Sequence, residues 1–434
     1  MLARIKAKAK ELEKKIIERR RDLHKHAEAG WTEFRTAAFA IPEMKKLGYT
    51  IKMGEEVIKK SEMMGVPSAE ALKKHQERAI AQGADPELVK KMDGGMTGFT
   101  AEMKFADGGP AMGFRADMDS NDAIESKDSD HRPSKEGFAS VNDGAMHACG
   151  HDAHVAVALA VAEIVADMKD QLKGSIRFIF QPAEEGLRGA GPMVAAGVTK
   201  GLDYIVGMHV GFQADNKNKL VCGAKGFLAS TKWDITITGR GAHAGAAPQE
   251  GHNALLAGAV ASINMHAISR HGDGVTRINV GKMIAGEGRN VVPPNAFLVM
   301  ETRGVTSELN QYMVAECGRI IKAACDMYQC TYEIEVTGGT ESGESSAEMI
   351  EIVYEAAKEQ GHYTEIEKMK DFGAGEDYSA MMSEVQKDGG IGTYMQVGID
   401  RTAGHHNSKF DMDEADLAPA AELMAYVVYK VLKK

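Results

Sequence analysis

The chain reads as an α/β protein, a mostly parallel sheet with helices on both faces, interrupted by a smaller ferredoxin-like domain. Three observations lead there. From about residue 98, short apolar runs alternate with helical patterns, as expected of βα units whose strands are covered on both sides. Between residues 224 and 338 the order becomes β-α-β-β-α-β, the split arrangement of a ferredoxin-like sandwich. The first style then returns, so one domain (1–223 and 339–434) encloses another (224–338), and 434 residues exceed one ordinary core.

Residues 5–28, dense in Lys, Glu and Arg, predict a long amphipathic helix. "RTAAFAIPEMKKLGYT" predicts a second one ending at Gly48, a natural left-handed C-terminus. Residues 52–97 are polar and helix-prone around a turn-like "GADPE", and read as a solvated surface insertion. "TGFTAEMKF" and "PAMGFRADMD" are strands, "HVAVALAVAEIVADMKDQL" a helix capped by Asp152, and "SIRFIF" a strand. "GAGPMVAAGV" is a short helix and "LDYIVGMHV" a buried strand. In the inserted domain "TKWDITITG" alternates Trp233, Ile235 and Ile237 with Asp234, Thr236 and Thr238. The helix "HNALLAGAVASINMHAIS", strands "RINVGKMIAG" and "NAFLVMETRG", helix "SELNQYMVAECGRIIKAACDMY" and strand "TYEIEVTGG" follow. "SAEMIEIVYEAAKEQG", "DYSAMMSEVQ", "GTYMQVGI" and a last helix complete the outer domain.

With 44% apolar and 26% charged residues the chain has a globular composition. A net charge of −10 argues against nucleic acid or an anionic membrane as partner, while leaving room for an anionic small substrate. The first thirty residues lack the apolar core of a signal peptide. The longest apolar run, "VAVALAVAEIVADM", is interrupted by Glu163 and Asp167 and falls short of a membrane span. Five cysteines without paired spacing point to reduced thiols in the cytoplasm.

The chemistry concentrates in "HACGHDAH", residues 147–154. Cys149 and His151, two apart before a helix, point the same way in an extended loop, and helix N-terminal N–H groups favour the thiolate. Glu184 and Glu185 in "QPAEEG", His209 in "GMHVG", and His405 and His406 in "AGHHNSKF" each end or follow an apolar strand. Open α/β sheets gather ligands at the carboxyl ends of their strands. Singly, these residues read as a capped helix start, a solvated acid pair and surface histidines; together they favour a metal site. Adjacent side chains diverge, so Glu185 can bind metal while Glu184 leans over a water whose pKa a metal lowers to about 7. Mixed S, N and O ligands suit Zn²⁺ or Mn²⁺ better than Ca²⁺ or Mg²⁺. The glycine-rich "RGAGPMVAAG" lacks the spacing of a dinucleotide loop.

"RADMD", "HACGHD", "FIFQPAEEG", "MHVG", "GRGAHAG", "GRNVVP", "GEDYS" and "GHHNSKFD", in this order, resemble the M20 metallopeptidase/amidohydrolase family in its aminoacylase-like branch, over nearly the whole chain. The resemblance implies two divalent ions, Mn²⁺ or Zn²⁺, held by Cys149, His151, Glu185, His209 and His406, with Glu184 as general base. Cys149 stands where other branches use a bridging carboxylate. It further implies that His243 reaches into a neighbouring subunit's cleft to stabilise the oxyanion, and that Asn290 and Arg303 grip a substrate carboxylate. The structural alternatives for these three are a helix-start His, a turn Asn and a strand-end Arg.

"RRDLHKHAEAGWTEFRTA", the excursion after "LGYT", "HRPSKEGFAS" and "GHNALLA" resemble members acting on aryl-acyl glutamates. The implied reaction is hydrolysis of p-aminobenzoyl-glutamate, a folate breakdown product, by a homodimer or by a heterodimer with a homologous second subunit. The alternatives are hydrolysis of another N-acyl amino acid, or a non-catalytic subunit lending His243 to a partner. Many relatives read "RADMDALP" where this chain reads "RADMDSND". Asp117 and Asp119 remain, Asp119 suited to orienting a metal-bound histidine, while the changed continuation reshapes the cleft mouth.

Overall fold

The computed structural model describes all 434 residues. They form two compact units, one of Met1–Lys225, Glu344–Phe372 and Asp377–Lys434, the other of Gly226–Gly343 with Gly373–Glu376. Along the chain, α1 (Leu2–Lys25) and α2 (Phe34–Lys46) precede β1 (Thr50–Met53), α3 (Ala69–Ala81), α4 (Pro86–Lys91), β2 (Phe99–Lys104) and β3 (Ala106–Asp117). Next come α5 (Arg132–Glu136), α6 (His151–Asp167), β4 (Lys173–Gln181), α7 (Ala190–Ala195), β5 (Tyr204–Val210), β6 (Lys219–Val221) and β7 (Ala224–Lys225). The smaller unit supplies β8 (Ala229–Thr238), α8 (Ala254–His266), β9 (Thr276–Ala285), β10 (Asn295–Gly304), α9 (Ser307–Met327) and β11 (Thr331–Thr340). The larger unit resumes with α10 (Ala347–Gln360), β12 (Glu365–Glu367), β13 (Lys370–Asp371), α11 (Tyr378–Lys387), β14 (Ile391–Val397) and α12 (Leu417–Leu432).

The large sheet runs β1-β2-β4-β3-β5-β14-β6-β12. Its centre, β4-β3-β5-β14, is parallel throughout, and the pairs β1–β2, β2–β4 and β14–β6 are antiparallel. The buried stretches of these strands, such as residues 178–180 of β4 and 205–208 of β5, are apolar because both faces are covered. Phe178 and Phe180 of β4 join the core that holds α1, α2, α6 and α12, while Ile179, between them, is buried towards the other face. On that face lies α11, so close that a Cβ on Gly392 of β14 would sit 2.7 Å from Met382. Helix α6 is buried on nearly every side, and α1 turns the stripe Ile5, Ala9, Leu12, Ile16 and Leu23 inward. No helix is long and apolar enough to cross a membrane.

Two expectations need correction. Asp152 does not cap α6; the cap is Gly150, at φ +95, where a Cβ would meet Val210 at 2.5 Å. Asp152 is instead buried, 2.8 Å from both Arg20 Nε and His24 Nδ1. The 52–97 excursion is not a solvated insertion either. Leu72, Ala79, Leu88, Val89 and Met92 are buried, Arg78 Nη2 donates to the buried Glu28 at 2.7 Å, and Trp31 Nε1 donates to the Met64 carbonyl at 2.8 Å. Each short helix hides one narrow apolar stripe beneath a polar majority.

In the smaller unit an antiparallel sheet, β11-β8-β10-β9, carries α8 and α9. Its core includes Trp233, Ile235 and Ile237, the inward half of the β8 alternation, with Leu298, Met313 and Ile321. All five cysteines are buried free thiols.

Candidate metal centre

Because β3, β4, β5 and β14 are parallel, their carboxyl ends share one edge of the sheet, and the predicted ligands Glu185, His209 and His406 lie on these strands or in the loops after them. His209 is the penultimate residue of β5, Glu184 and Glu185 form the turn after β4, and His405 and His406 lie in the loop after β14. Cys149 and His151 flank the left-handed Gly150 at the start of α6.

Two sets of three side chains, Cys149–His151–His209 and Cys149–Glu185–His406, each bring one ligand atom apiece within 4.8 Å of the others. Cys149 belongs to both. Its Sγ is 3.4 Å from His209 Nε2, and His406 Nε2 is 3.4 Å from Glu185 Oε2. A third set joins His151 to Glu184 and Glu185. His151 Nδ1 donates to the Asp119 carbonyl and His209 Nδ1 to the Val210 carbonyl, each at 2.8 Å, which turns both Nε2 atoms towards the thiol. The Asp119 carboxylate instead accepts from the Glu184 and Glu185 N–H groups at 2.9 and 3.0 Å. Asp119 therefore orients the histidine through its carbonyl and the glutamate turn through its side chain.

His151 Nε2 and Glu185 Oε1 are buried without a hydrogen-bond partner. A cation answers both, and the mixed thiol, imidazole and carboxylate set suits a borderline divalent metal. The electrostatics agree. Burial lowers His151, but Asp117, Asp119 and Glu185 outweigh it and lift the imidazole to about 10. Burial, opposed by His151 and reinforced by Asp119 and Asp117, pushes Glu185 up to about 7. The pocket thus favours positive charge. His209 is held neutral by burial and by His154, His405 and His151, the form in which an imidazole binds a metal.

The neighbouring histidines are engaged elsewhere. His154 Nδ1 donates to Asp117 at 2.5 Å, and its Nε2 accepts from Val210 N–H at 3.0 Å. His405 accepts from Phe212 N–H at 3.1 Å and stacks on that ring. The glycine-rich turn before α7 gives its Gly189 and Ala190 N–H groups to Asp377, at 3.1 and 3.0 Å.

In the smaller unit, Ala244 N–H donates to the Asn290 carbonyl at 2.9 Å, so the loops of His243 and Asn290 are joined. His243 Nδ1 accepts from the Ala246 and Gly245 N–H groups at 3.0 and 3.2 Å, which leaves the ring proton on Nε2 as a donor. Arg303 stands apart from them. It lies towards the other end of β10, eight residues or roughly 26 Å beyond Asn295, and pairs with Glu301 at 2.9 and 3.1 Å.

Sequence reasoning missed two residues. Asn121, within the departure "DMDSND", accepts from Ala148 N–H at 3.1 Å and hydrogen-bonds Glu185, tying the two ligand loops together. Glu33, 0% exposed, accepts from Ala183 N–H at 2.8 Å, and burial and Asp119 push its carboxyl up to about 8. Asn121 was detectable as a polar residue where relatives are apolar; Glu33 had no signal beyond an acid at a helix start.

A family model described as Peptidase family M20/M25/M40 matches residues 113–430. The chain belongs to this family. Like other M20 metallo-hydrolases it acts on an amide bond. This M20 chain is 43% identical over 412 residues to one of the subunits of p-aminobenzoyl-glutamate hydrolase from Escherichia coli K12, covering 95% of this chain and 94% of that one. It is also 43% identical, over 407 residues, to an indole-3-acetyl-aspartic acid hydrolase of Enterobacter agglomerans, with 94% and 93% covered. The solved aminobenzoyl-glutamate utilization protein of Klebsiella pneumoniae shares its fold, with TM-score 0.83, 36% identity and 97% of each chain covered.

Proposed function

We propose that this M20 hydrolase cleaves the amide between an aromatic acyl group and an acidic amino acid, with p-aminobenzoyl-glutamate as substrate and p-aminobenzoate and glutamate as products. The observation that carries the reading is the convergence of two ligand sets on Cys149, with Glu184 beside His151. Cys149, His151 and His209 would hold one ion, and Cys149, Glu185 and His406 the other, as Mn²⁺ or Zn²⁺. Such ions supply Lewis acidity and make water acidic near neutral pH.

Glu184, in a turn pinned by Asp119, accepts the proton of the attacking water on a carboxylate oxygen. It then returns that proton to the amide nitrogen, which leaves poorly as an anion. His243 of a second protomer donates its Nε2–H to the oxygen that gains charge, and Asn290 beside it binds the substrate carboxylate. Arg303 is less suited to that grip, since Glu301 already engages it. The partner is a copy of this chain or a homologous protein, in keeping with the Escherichia coli relative being named as one subunit of its enzyme. Five free thiols fit a reducing cytoplasm.

The equal identity to the indole-3-acetyl-aspartate enzyme favours a second reading, in which aspartate conjugates are cleaved. Measuring kcat/KM for p-aminobenzoyl-glutamate, p-aminobenzoyl-aspartate and indole-3-acetyl-aspartate, alone and with a homologous partner, separates the two. The expected order puts the glutamate conjugate first, and Glu184→Gln should lower kcat by about 10²–10⁴-fold with metal retained. Undiminished hydrolysis by that variant removes Glu184 from its role. Metal-loaded protein without turnover on any of the three, with or without the partner, supports the non-catalytic alternative.

A further inference from the structure

The turn that presents Glu184 is held in an unfavourable conformation from behind. Ala183 and Leu187, on either side of the glutamate pair, have φ of +51 and +58, which residues with a Cβ resist. Three successive N–H groups of this turn point at two buried carboxyl groups, that of Ala183 at Glu33 and those of Glu184 and Glu185 at Asp119. Glu33 is fixed in turn by the Thr97 hydroxyl, which lies 2.6 Å from its other oxygen. It stands just before α2 in "GWTEF", a segment the ligand set does not use, without capping that helix by its side chain, 150 residues from the contact it makes. Ala183 N–H is buried, so without Glu33 it loses its acceptor at a backbone position that is already strained.

We propose that Glu33 is a positioning residue: by binding Ala183 N–H it holds the left-handed turn and so aims the Glu184 carboxylate. This rests on the reading of Glu184 as proton acceptor. The full-length metal-loaded enzyme and its Glu33→Ala, Glu33→Gln, Glu33→Ala/Ala183→Gly, Thr97→Val and Glu184→Gln variants are assayed on p-aminobenzoyl-glutamate, with metal content and amide hydrogen exchange over residues 182–188.

Glu33→Ala should lower kcat by about tenfold to a hundredfold, with little change in KM and metal retained, because a displaced base loses rate rather than binding. Its turn amides should exchange faster. Glu33→Gln keeps an oxygen for Ala183 and should stay near the wild-type rate. Glycine at 183 adopts positive φ freely and should recover part of the loss. Wild-type kcat in a folded Glu33→Ala overturns the proposal. If that variant does not fold, Thr97→Val decides: slower turnover with faster exchange at Ala183 supports the proposal, and no change in either overturns it. Normal turnover by Glu184→Gln sinks the reading of Glu184 and with it the proposal that Glu33 aims that carboxylate, whereas slow Glu184→Gln beside normal Glu33→Ala sinks only the proposal about Glu33.

Discussion

His405 and His406 are neighbours in sequence with different work. His405 is wedged against Phe212 and Phe410, and burial, with Arg401 and other histidines, pushes it down to about 3, so it stays neutral and packs. His406 is exposed, left-handed at φ +63, and has its Nε2 beside Glu185. His406→Ala should therefore lose metal, about half of it if two ions are bound, while changing thermal stability little. His405→Ala should keep the metal and cost about 1–3 kcal/mol of stability, from the lost packing and the unpaired Phe212 N–H. Elemental analysis and thermal unfolding check both, and the reverse pattern would mean the ligand has been misassigned. The sequence pointed to this loop but not to which imidazole turns inward; the resemblance, and then packing against Phe212, separate them. Likewise Cys149 and His151 stood out as ligand types before a helix, and Glu185 and His209 at strand ends, whereas Glu33 and Asn121 matter only through contacts made across the fold.

Helices and strands were legible where one period dominates: the alternation of β8, the apolar runs of β4 and β5, and the stripe of α1. The excursion was misread because the few apolar residues of α3 and α4 are outnumbered by charges, so periodicity over short helices carries little weight. The cap of α6 was misread because Asp152 has the right chemistry for a cap, yet buried Arg20 and His24 compete for it more strongly. The junction of α1 and α2 has a pH signature. Although burial opposes it, His26 and Arg35 hold Asp22 down to about 2, and Arg19, Lys46 and Lys15 do the same for Glu43. A carboxylate whose folded pKa lies below its unfolded value of about 4 stabilises the fold above that value and loses its effect as pH falls towards about 2. The thermal midpoint should accordingly drop between pH 4 and 2, and Asp22→Asn/Glu43→Gln should flatten that fall. An unchanged slope would show that these partly exposed pairs, with side chains 35% (Asp22) and 23% (Glu43) accessible, are too solvated to count.

The larger unit explains why ligands spread from Cys149 to His406 can meet: parallel strands deliver their carboxyl ends to one edge whatever the intervening chain contains, including an entire second unit. That topology was visible in the order of elements, and the family match over residues 113–430 agrees with it. The partner subunit was legible only through the family resemblance, since composition and periodicity show a surface without showing what covers it. The account depends on Cys149 serving two cations at once. Anomalous diffraction at the metal edge, from crystals grown with Zn²⁺ or Mn²⁺, tests this most directly. Two peaks about 3.5–4 Å apart are expected, one against Cys149, His151 and His209 and the other against Cys149, Glu185 and His406. A peak pair away from the Cys149 sulfur, or no peak there in protein that turns over substrate, would contradict it.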